Sequence, residues 1–266
     1  MNIKALRLVC LFSSILISSV AIWLLSTSKS EVSIMLKKII NEDNAIHEPD
    51  VKVLSINEQP LIKDIPIDVP LINQLPELVR GCEVTSLAML LQFAGVDVDK
   101  LTLAEEVKKV PYLKNGVYGH PNDGFVGNMY TYNHSGYGVF DQPIEDLANK
   151  YLPGQIQNIT GTNFDSIKEH LLNDRPVWVI ITSTYKKVPS ANWEVWNTKS
   201  GEISITKKQH SVVLTGFDDQ YVYFNDPLAS EKNSSAPIEE FIDGWNQFGN
   251  KAIIVNPENS TNIVKR

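Results

Sequence analysis

The sequence predicts an α+β domain over residues 66–255, with helices in its first half and antiparallel strands in its second half. Three observations support this fold class. Apolar residues recur at helical spacing after residue 82, and a run rich in β-branched residues occupies 177–182. Two short apolar runs then flank a polar turn near 217–220. This order favours helices packed on an antiparallel sheet.

The longest predicted helix starts at Cys82 and stops before Gly95, since glycine commonly follows the end of a helix. Its apolar residues recur with a spacing of about three or four. They are Val84, Leu87, Ala88, Leu90, Leu91 and Ala94. The thiol of Cys82 therefore lies in the first turn of a helix.

Three shorter segments in the first half of the domain are also predicted to be helical. Thr102 followed by Glu105 resembles a capping box, which predicts a short helix that ends near residue 109. Residues 143–151 and 164–173 are the other two helical segments.

The second half of the domain is predicted to consist mainly of strands. Residues 177–182 form a buried strand, and 211–215 and 221–224 form a hairpin around the polar turn. A helix over 237–248 and a strand over 252–255 complete the domain.

The segments outside this domain predict export. Lys4 and Arg7 precede an uncharged stretch of 18 residues, 8–25. A spanning helix needs roughly 17–25 apolar residues, whereas the apolar part of a signal peptide is usually roughly 7–15. Residues 1–30 are therefore predicted to be a membrane anchor or a signal peptide, and 31–65 a stalk. The domain would then be extracytoplasmic, on a single-pass membrane protein or secreted, with a polar tail at 256–266.

Composition excludes several classes of partner. The net charge of −7 and the pI of about 5.3 argue against nucleic-acid binding, which needs clustered lysine and arginine. The sequence contains no glycine-rich phosphate loop and no CxxC or HExxH motif, so no cofactor or metal is predicted.

Cys82 is the candidate nucleophile. The other cysteine, Cys10, lies in the apolar N-terminal segment, which leaves Cys82 as a free thiol in the exported part. The backbone N–H groups at a helix N-terminus favour an anion and lower a thiol pKa. Gly81 is expected to allow a sharp turn and the approach of a substrate. The alternative interpretation is that Cys82 is a small buried apolar residue.

Acyl transfer also needs donors for the oxyanion. The backbone N–H of Cys82 is one candidate donor. The side-chain amide of Gln74, just upstream, is the second.

His210 is the candidate base, because it opens a predicted strand far from the cysteine in sequence, whereas the other four histidines lie in predicted loops, the stalk or a surface helix. Asp226, near the end of the partner strand, is the candidate residue that orients it. The two share a face if the hairpin loop has an odd number of residues, such as 218–220. With an even loop they would lie on opposite faces, and Asn225 would be the alternative.

Several blocks of sequence resemble a known family. They are Leu71-Ile-Asn-Gln-Leu-Pro-Glu-Leu78, Gly81-Cys-Glu-Val-Thr-Ser-Leu-Ala-Met-Leu-Leu91, Pro121-Asn-Asp-Gly-Phe-Val-Gly-Asn128, His210-Ser-Val-Val-Leu-Thr-Gly-Phe-Asp218 and Val222-Tyr-Phe-Asn-Asp-Pro227. Together they resemble stand-alone bacterial relatives of the double-glycine leader peptidases, which are papain-like cysteine peptidases. The resemblance implies a papain-like fold and a bacterial cell-surface origin. It implies Cys82 as nucleophile, His210 as base, Asp226 as its orienting partner and Gln74 as oxyanion donor.

The resulting hypothesis is thiol-dependent hydrolysis of amide bonds in a peptide or protein substrate. A non-catalytic surface module that binds a peptide or a wall fragment in the same cleft is one alternative. An amidase or transferase acting on peptidoglycan peptides is another. Residues 119–128 are expected to form a loop near the cleft.

Overall fold

The structure is a computed structural model that describes residues 66–256, which contain five α-helices and twelve β-strands. The helices are α1 (Cys82–Phe93), α2 (Lys100–Glu106), α3 (Asp141–Tyr151), α4 (Phe164–Leu172) and α5 (Ile238–Asn246). The strands are β1 (Lys109–Val110), β2 (Leu113–Lys114), β3 (Val117–Tyr118), β4 (Phe125–Val126), β5 (Ile156–Asn158), β6 (Val177–Thr182), β7 (Glu194–Thr198), β8 (Gly201–Ile205), β9 (Gln209–Phe217), β10 (Tyr221–Asn225), β11 (Ser234–Pro237) and β12 (Ala252–Val255). The predicted anchor and stalk lie outside the described residues, as does all of the predicted tail beyond residue 256.

A six-stranded sheet in the order β11-β10-β9-β6-β12-β5 organises the domain. Every neighbouring pair in it is antiparallel. The predicted α+β fold class is therefore confirmed, although the two edge strands, β5 and β11, were not predicted.

The buried strand β6 divides the core into two layers. Val177, Val179 and Ile181 belong to one apolar cluster, which includes residues of α4 and α5. Trp178 and Ile180 belong to the other, which includes residues of α1, α2 and α3. Side chains alternate along a strand, so a strand covered on both faces is apolar throughout. Burial of one such large side chain contributes about 1.5–3 kcal/mol.

Helix α1 begins and ends close to the predicted positions. Gly95, two residues after its last residue, has a φ of +86°, which a residue with a side chain rarely adopts. Helix α2 begins earlier than predicted, because Asp99 caps it by accepting from the backbone N–H groups of Leu101 and Thr102. The predicted capping role of Thr102 is therefore wrong, since a carboxylate three residues upstream satisfies the free amides first.

A smaller four-stranded sheet has the order β2-β3-β7-β8 and shares no strand with the main sheet. Strands β1 and β4 pair with each other to form a third, two-stranded sheet. Trp196 of β7 is buried and stacks on Tyr118 of β3, with ring centroids 4.3 Å apart. Packing within this aromatic cluster accounts for the burial of Trp196.

The hairpin of β9 and β10 differs from the predicted loop in an informative way. Phe217 pairs with Val222 rather than with Tyr221, so four residues, 218–221, lie between the last paired residues of the two strands. A bulge at Thr215 then shifts the register by one residue, because Gly216 pairs with Tyr223 but Leu214 pairs with Phe224. The connection is thus of even length, yet the bulge gives the register that a three-residue loop would produce, with Asn225 opposite Val213.

Candidate active site

Cys82 is the first residue of α1 and is 8% exposed. The preceding residue, Gly81, has an ordinary φ of −106°. A Cβ at this position would lie 2.5 Å from the Cβ of Leu78. Close packing, rather than the unusual backbone turn expected from the sequence, therefore requires the glycine.

The environment of the Cys82 thiol differs from the sequence-based expectation. Burial raises its pKa well above the ordinary value, and the neighbouring Glu83 carboxyl raises it further. A hydrogen bond from the backbone N–H of Ser211 lowers the pKa of the thiol, but by less. A position at a helix N-terminus alone predicts a lowered pKa, but loss of solvent and an adjacent acid outweigh it here.

His210 lies near the start of β9 and contacts Asp226, which follows the end of β10. The His210 Nε2 is 2.8 Å from the Asp226 Oδ1, and both side chains are buried. The backbone N–H of Leu228 donates to the same Asp226 oxygen at 2.8 Å. The Tyr185 hydroxyl donates to the other, Oδ2. The structure therefore brings together the predicted base and its predicted partner.

The charge state of Asp226 follows from these contacts. Burial raises its pKa, but the hydrogen bonds from His210, Tyr185 and Leu228 outweigh burial, so the net pKa lies below the usual value. Because the ionised carboxylate of Asp226 can only accept hydrogen bonds, the His210 nitrogen that contacts its Oδ1, Nε2, must carry the hydrogen. The other ring nitrogen, Nδ1, is then the acceptor in the neutral imidazole.

Asn225, the alternative partner for His210, makes different contacts. Its Nδ2 donates to the backbone oxygen of Val69 at 2.9 Å, and its Oδ1 accepts from the backbone N–H of Asn233 at 2.9 Å. Asn225 therefore anchors the start of the domain, and Asp226 is the residue that contacts His210.

Gln74 is 3% exposed and lines the same cleft as Cys82. Its Nε2 donates to the backbone oxygen of Leu78 at 2.9 Å, which uses one of the two amide hydrogens. Its Oε1 has no hydrogen-bond partner among the described residues. The amide is thus held in place with one hydrogen still available.

A cleft of about 480 Å³ joins these predicted residues. Cys82, His210 and Gln74 all line it. The remaining lining residues include three tyrosines and two cations, namely Tyr112, Tyr132, Tyr137, Arg80 and Lys207.

The predicted loop 119–128 contributes to the cleft only indirectly. None of its residues is among those that line the cleft. Arg80 donates to the backbone oxygen of Asn128 at 3.2 Å and to that of Thr131 at 2.7 Å. Its guanidinium also lies 4.7 Å from the ring centre of Tyr132. The end of this segment therefore lies near the cleft, where it holds a cation of the cleft wall.

Glu83 is a site residue that was not predicted from the sequence. It is 1% exposed, and its Oε2 lies 3.3 Å from the Cys82 sulfur. Its Oε1 accepts from the backbone N–H of Val139 at 3.0 Å and from the Gln209 Nε2 at 2.7 Å. Burial raises the pKa of Glu83 to about 7. Its position next to Cys82 was the feature of the sequence that could have indicated this role. An acidic residue in the first turn of a helix is, however, ordinarily explained by the helix dipole alone.

Two further properties concern the described residues alone. Between residues 66 and 256, no three side chains of the His, Cys, Asp and Glu types are grouped so that they could hold a metal ion. Within the same range, no helix is both long and apolar enough to cross a membrane.

Comparison with known proteins identifies the family of this chain. The model of the Peptidase_C39 like family matches residues 66–253. The uncharacterized protein YvpB of Bacillus subtilis (strain 168) is 38% identical over 262 residues, which cover 95% of this chain and 99% of the relative. A crystal structure from Bacillus anthracis, described as that of a C39-like peptidase, is 45% identical with a TM-score of 0.70 and covers 72% of this chain and 98% of that one. The resemblance inferred from the sequence blocks is confirmed, and the chain belongs to the Peptidase_C39 like family.

Proposed function

We propose that the chain is a cysteine peptidase in which Cys82 is the nucleophile, His210 the base and Asp226 the residue that orients the base. The observation that carries this proposal is the buried contact of 2.8 Å between His210 and Asp226, with His210 and Cys82 lining the same cleft. Membership of the peptidase family supports a peptide or protein as substrate.

The reaction follows from the tautomer of His210. Its Nε2–H stays bonded to Asp226, so Nδ1 accepts the proton of the Cys82 thiol as the sulfur attacks the amide carbon of the substrate. His210 then returns this proton to the leaving nitrogen, and the C–N bond breaks to leave a thioester. Water hydrolyses the thioester and regenerates the thiol. Because burial raises the pKa of Cys82, we expect the proton transfer to accompany the attack.

The oxyanion formed during this attack requires donors that are already oriented. We assign this role to the backbone N–H of Cys82 and to the side-chain amide of Gln74. The bond from Gln74 to the Leu78 oxygen supports the assignment, because it fixes the amide while one hydrogen remains available.

We also propose that the domain acts outside the cytoplasm, either attached by a single membrane span or secreted. This proposal rests on the uncharged stretch at 8–25 and on the preceding Lys4 and Arg7. Protease accessibility of the domain on intact cells would test it, and protection of the domain would contradict it.

Alkylation of Cys82 tests the proposed nucleophile without knowledge of the substrate. The full chain in a C10S background is treated with iodoacetamide at about pH 6.5, near the ordinary imidazole pKa, and modification of Cys82 is followed by mass spectrometry. Because His210 accepts the proton as the sulfur attacks, we expect alkylation faster than that of a model thiol even though burial raises the pKa of Cys82, and a marked slowing in His210→Gln. His134→Gln, which changes an exposed histidine, is the matched control. If Cys82 reacts no faster than the model thiol, the assignment is wrong.

A non-catalytic module that binds a peptide in the same cleft is the second candidate. The specific observation in its favour is the burial of the Cys82 thiol, which raises its pKa. Hydrolysis of a quenched fluorescent peptide library separates the two functions. The peptidase hypothesis expects turnover that Cys82→Ser abolishes. The binding hypothesis expects no turnover and unchanged peptide binding in Cys82→Ser.

A further inference from the structure

The buried carboxyl of Glu83 lies against the sulfur that the proposed reaction uses. Its two oxygens face different groups. Oε1 accepts N–H bonds from Val139 and Gln209, at 3.0 Å and 2.7 Å. Oε2 lies 3.3 Å from the Cys82 sulfur. The carboxyl is thus held from one side and directed at the thiol from the other.

This arrangement determines where a proton on Glu83 resides. Both donors to Oε1 are N–H groups, so Oε1 acts as an acceptor. A protonated Glu83 therefore carries its hydrogen on Oε2, where it can be donated to the Cys82 sulfur. An ionised Glu83 instead accepts the S–H hydrogen and places a negative charge beside the sulfur, which opposes formation of the thiolate.

We infer that Glu83 is a positioning residue that controls the Cys82 nucleophile through the proton on Oε2. The inference rests on the proposed function, because it assumes that Cys82 acts as the nucleophile. Neutral Glu83 supports the developing thiolate by donating a hydrogen bond to it. Ionised Glu83 keeps the sulfur protonated and suppresses its reactivity.

Packing around the carboxyl supports a functional role. A Cβ at Gly138 would lie 2.3 Å from the Glu83 Oε1 and 2.8 Å from the Gln209 Nε2, so the chain leaves this space free for the carboxyl. The peptide oxygen of Glu83 also accepts from the Trp178 Nε1 at 3.0 Å. The side chain is therefore held rigidly at the sulfur, rather than being a solvated acid of the helix N-terminus.

The titratable groups near Glu83 come from several elements. Cys82 precedes Glu83 in α1, and His210 lies on β9. Tyr137 lies two residues before Val139, whose backbone N–H donates to Glu83. The cations Arg80 and Lys207 line the same cleft. The positive charge of a protonated His210 favours ionisation of Glu83, whereas burial opposes it and dominates, which raises the Glu83 pKa to about 7. The proton on Glu83 is therefore exchanged within the physiological range of pH.

Glu83→Gln tests the inference, because the amide has the same shape and stays neutral. Its oxygen can accept from Val139 and Gln209 while its NH₂ group donates to the sulfur, as in protonated Glu83. Alkylation of Cys82 by iodoacetamide is measured from about pH 6 to about pH 8 in the full chain with C10S. With a pKa of about 7, the neutral fraction of Glu83 falls roughly tenfold over this interval. We therefore expect the ratio of the variant rate to the wild-type rate to rise about tenfold.

Two more variants make this test specific. Glu202→Gln removes the same charge from an exposed position of β8 and is expected to leave the pH profile unchanged. Gln209→Met removes a donor to Oε1, which disfavours the ionised carboxyl. It is therefore expected to move the loss of reactivity to higher pH, and it tests the inference even if Glu83→Gln fails to fold.

The possible outcomes separate the two proposals. If Cys82 is reactive but the ratio of rates is independent of pH, and Gln209→Met leaves the profile unchanged, Glu83 is only structural and the inference is overturned. If Cys82 reacts like a model thiol in every variant at every pH, the proposed nucleophile itself is wrong.

Discussion

Replacing Asp226 by asparagine removes the charge next to His210 while the shape of the side chain is kept. Asp226 Oδ1 accepts from two groups, the His210 Nε2 and the backbone N–H of Leu228. Oδ2 accepts from one hydroxyl, that of Tyr185, which can also act as an acceptor. In Asp226→Asn we therefore expect the amide oxygen to face His210 and the NH₂ group to face Tyr185. The orientation of the imidazole is then preserved.

The expected loss follows from the difference between charged and neutral hydrogen bonds. A hydrogen bond to a charged group contributes about 1.5–3 kcal/mol and a neutral one about 0.5–1.5 kcal/mol. Asp226→Asn should therefore cost about 1–1.5 kcal/mol of imidazolium stabilisation, or roughly a five- to tenfold slower reaction of Cys82. Asp226→Ala leaves the N–H groups of His210 and Leu228 without this acceptor, and we expect a loss of about 3 kcal/mol, roughly a hundredfold.

The assay is the rate of Cys82 alkylation at about pH 6.5, measured for both variants under conditions where circular dichroism shows that they are folded. Asp243→Asn, on the surface helix α5, is the control for removal of a negative charge. Equal rates for Asp226→Asn and Asp226→Ala would refute the expected amide orientation. An unchanged rate in both would refute the role of Asp226 as the partner of the base.

Two further predictions concern stability. Asn225→Ala leaves the backbone groups of Val69 and Asn233 without their side-chain partner, so we expect a loss of about 2–4 kcal/mol in urea unfolding; an unchanged midpoint would contradict this. Burial raises the pKa of Asp141, but its pairing with Lys251 outweighs burial and the net pKa is lowered. Its contribution is therefore present above the unfolded pKa of about 3.9 and is lost as the pH falls below it. Asp141→Asn should cost about 1–2 kcal/mol at neutral pH and little at about pH 2, whereas a cost independent of pH would show that the charge is unimportant.

The elements that the sequence predicts best are those whose own pattern is strong. Strand β6 is a continuous apolar run and occupies the predicted residues, and α1 has both an apolar repeat and a terminal glycine. The two-residue strands β1 to β4 were not predicted, because pairing with distant segments, rather than local preference, produces them.

The contacts of the candidate site likewise fall into some that the sequence could predict and some that it could not. The contact between His210 and Asp226 was predictable, because both residues belong to one hairpin and their separation in sequence is short. The surroundings of Glu83 were not, since Val139 and Gln209 lie 56 and 126 residues away in the chain. The raised pKa of Cys82 was missed for the same reason, because loss of solvent depends on the complete tertiary packing.

The bulge at Thr215 determines which face of the hairpin carries Asp226. Below the bulge Val213 pairs with Asn225, which places Asp226 on the same face as His210. If Thr215 stayed in the chain but joined a regular ladder, the register would slip by one residue and Asp226 would move to the opposite face. Deletion of Thr215 would instead remove the unpaired residue and leave the pairs below it unchanged. The proposed site should therefore tolerate insertions in the turn, but not a slip of register at the bulge.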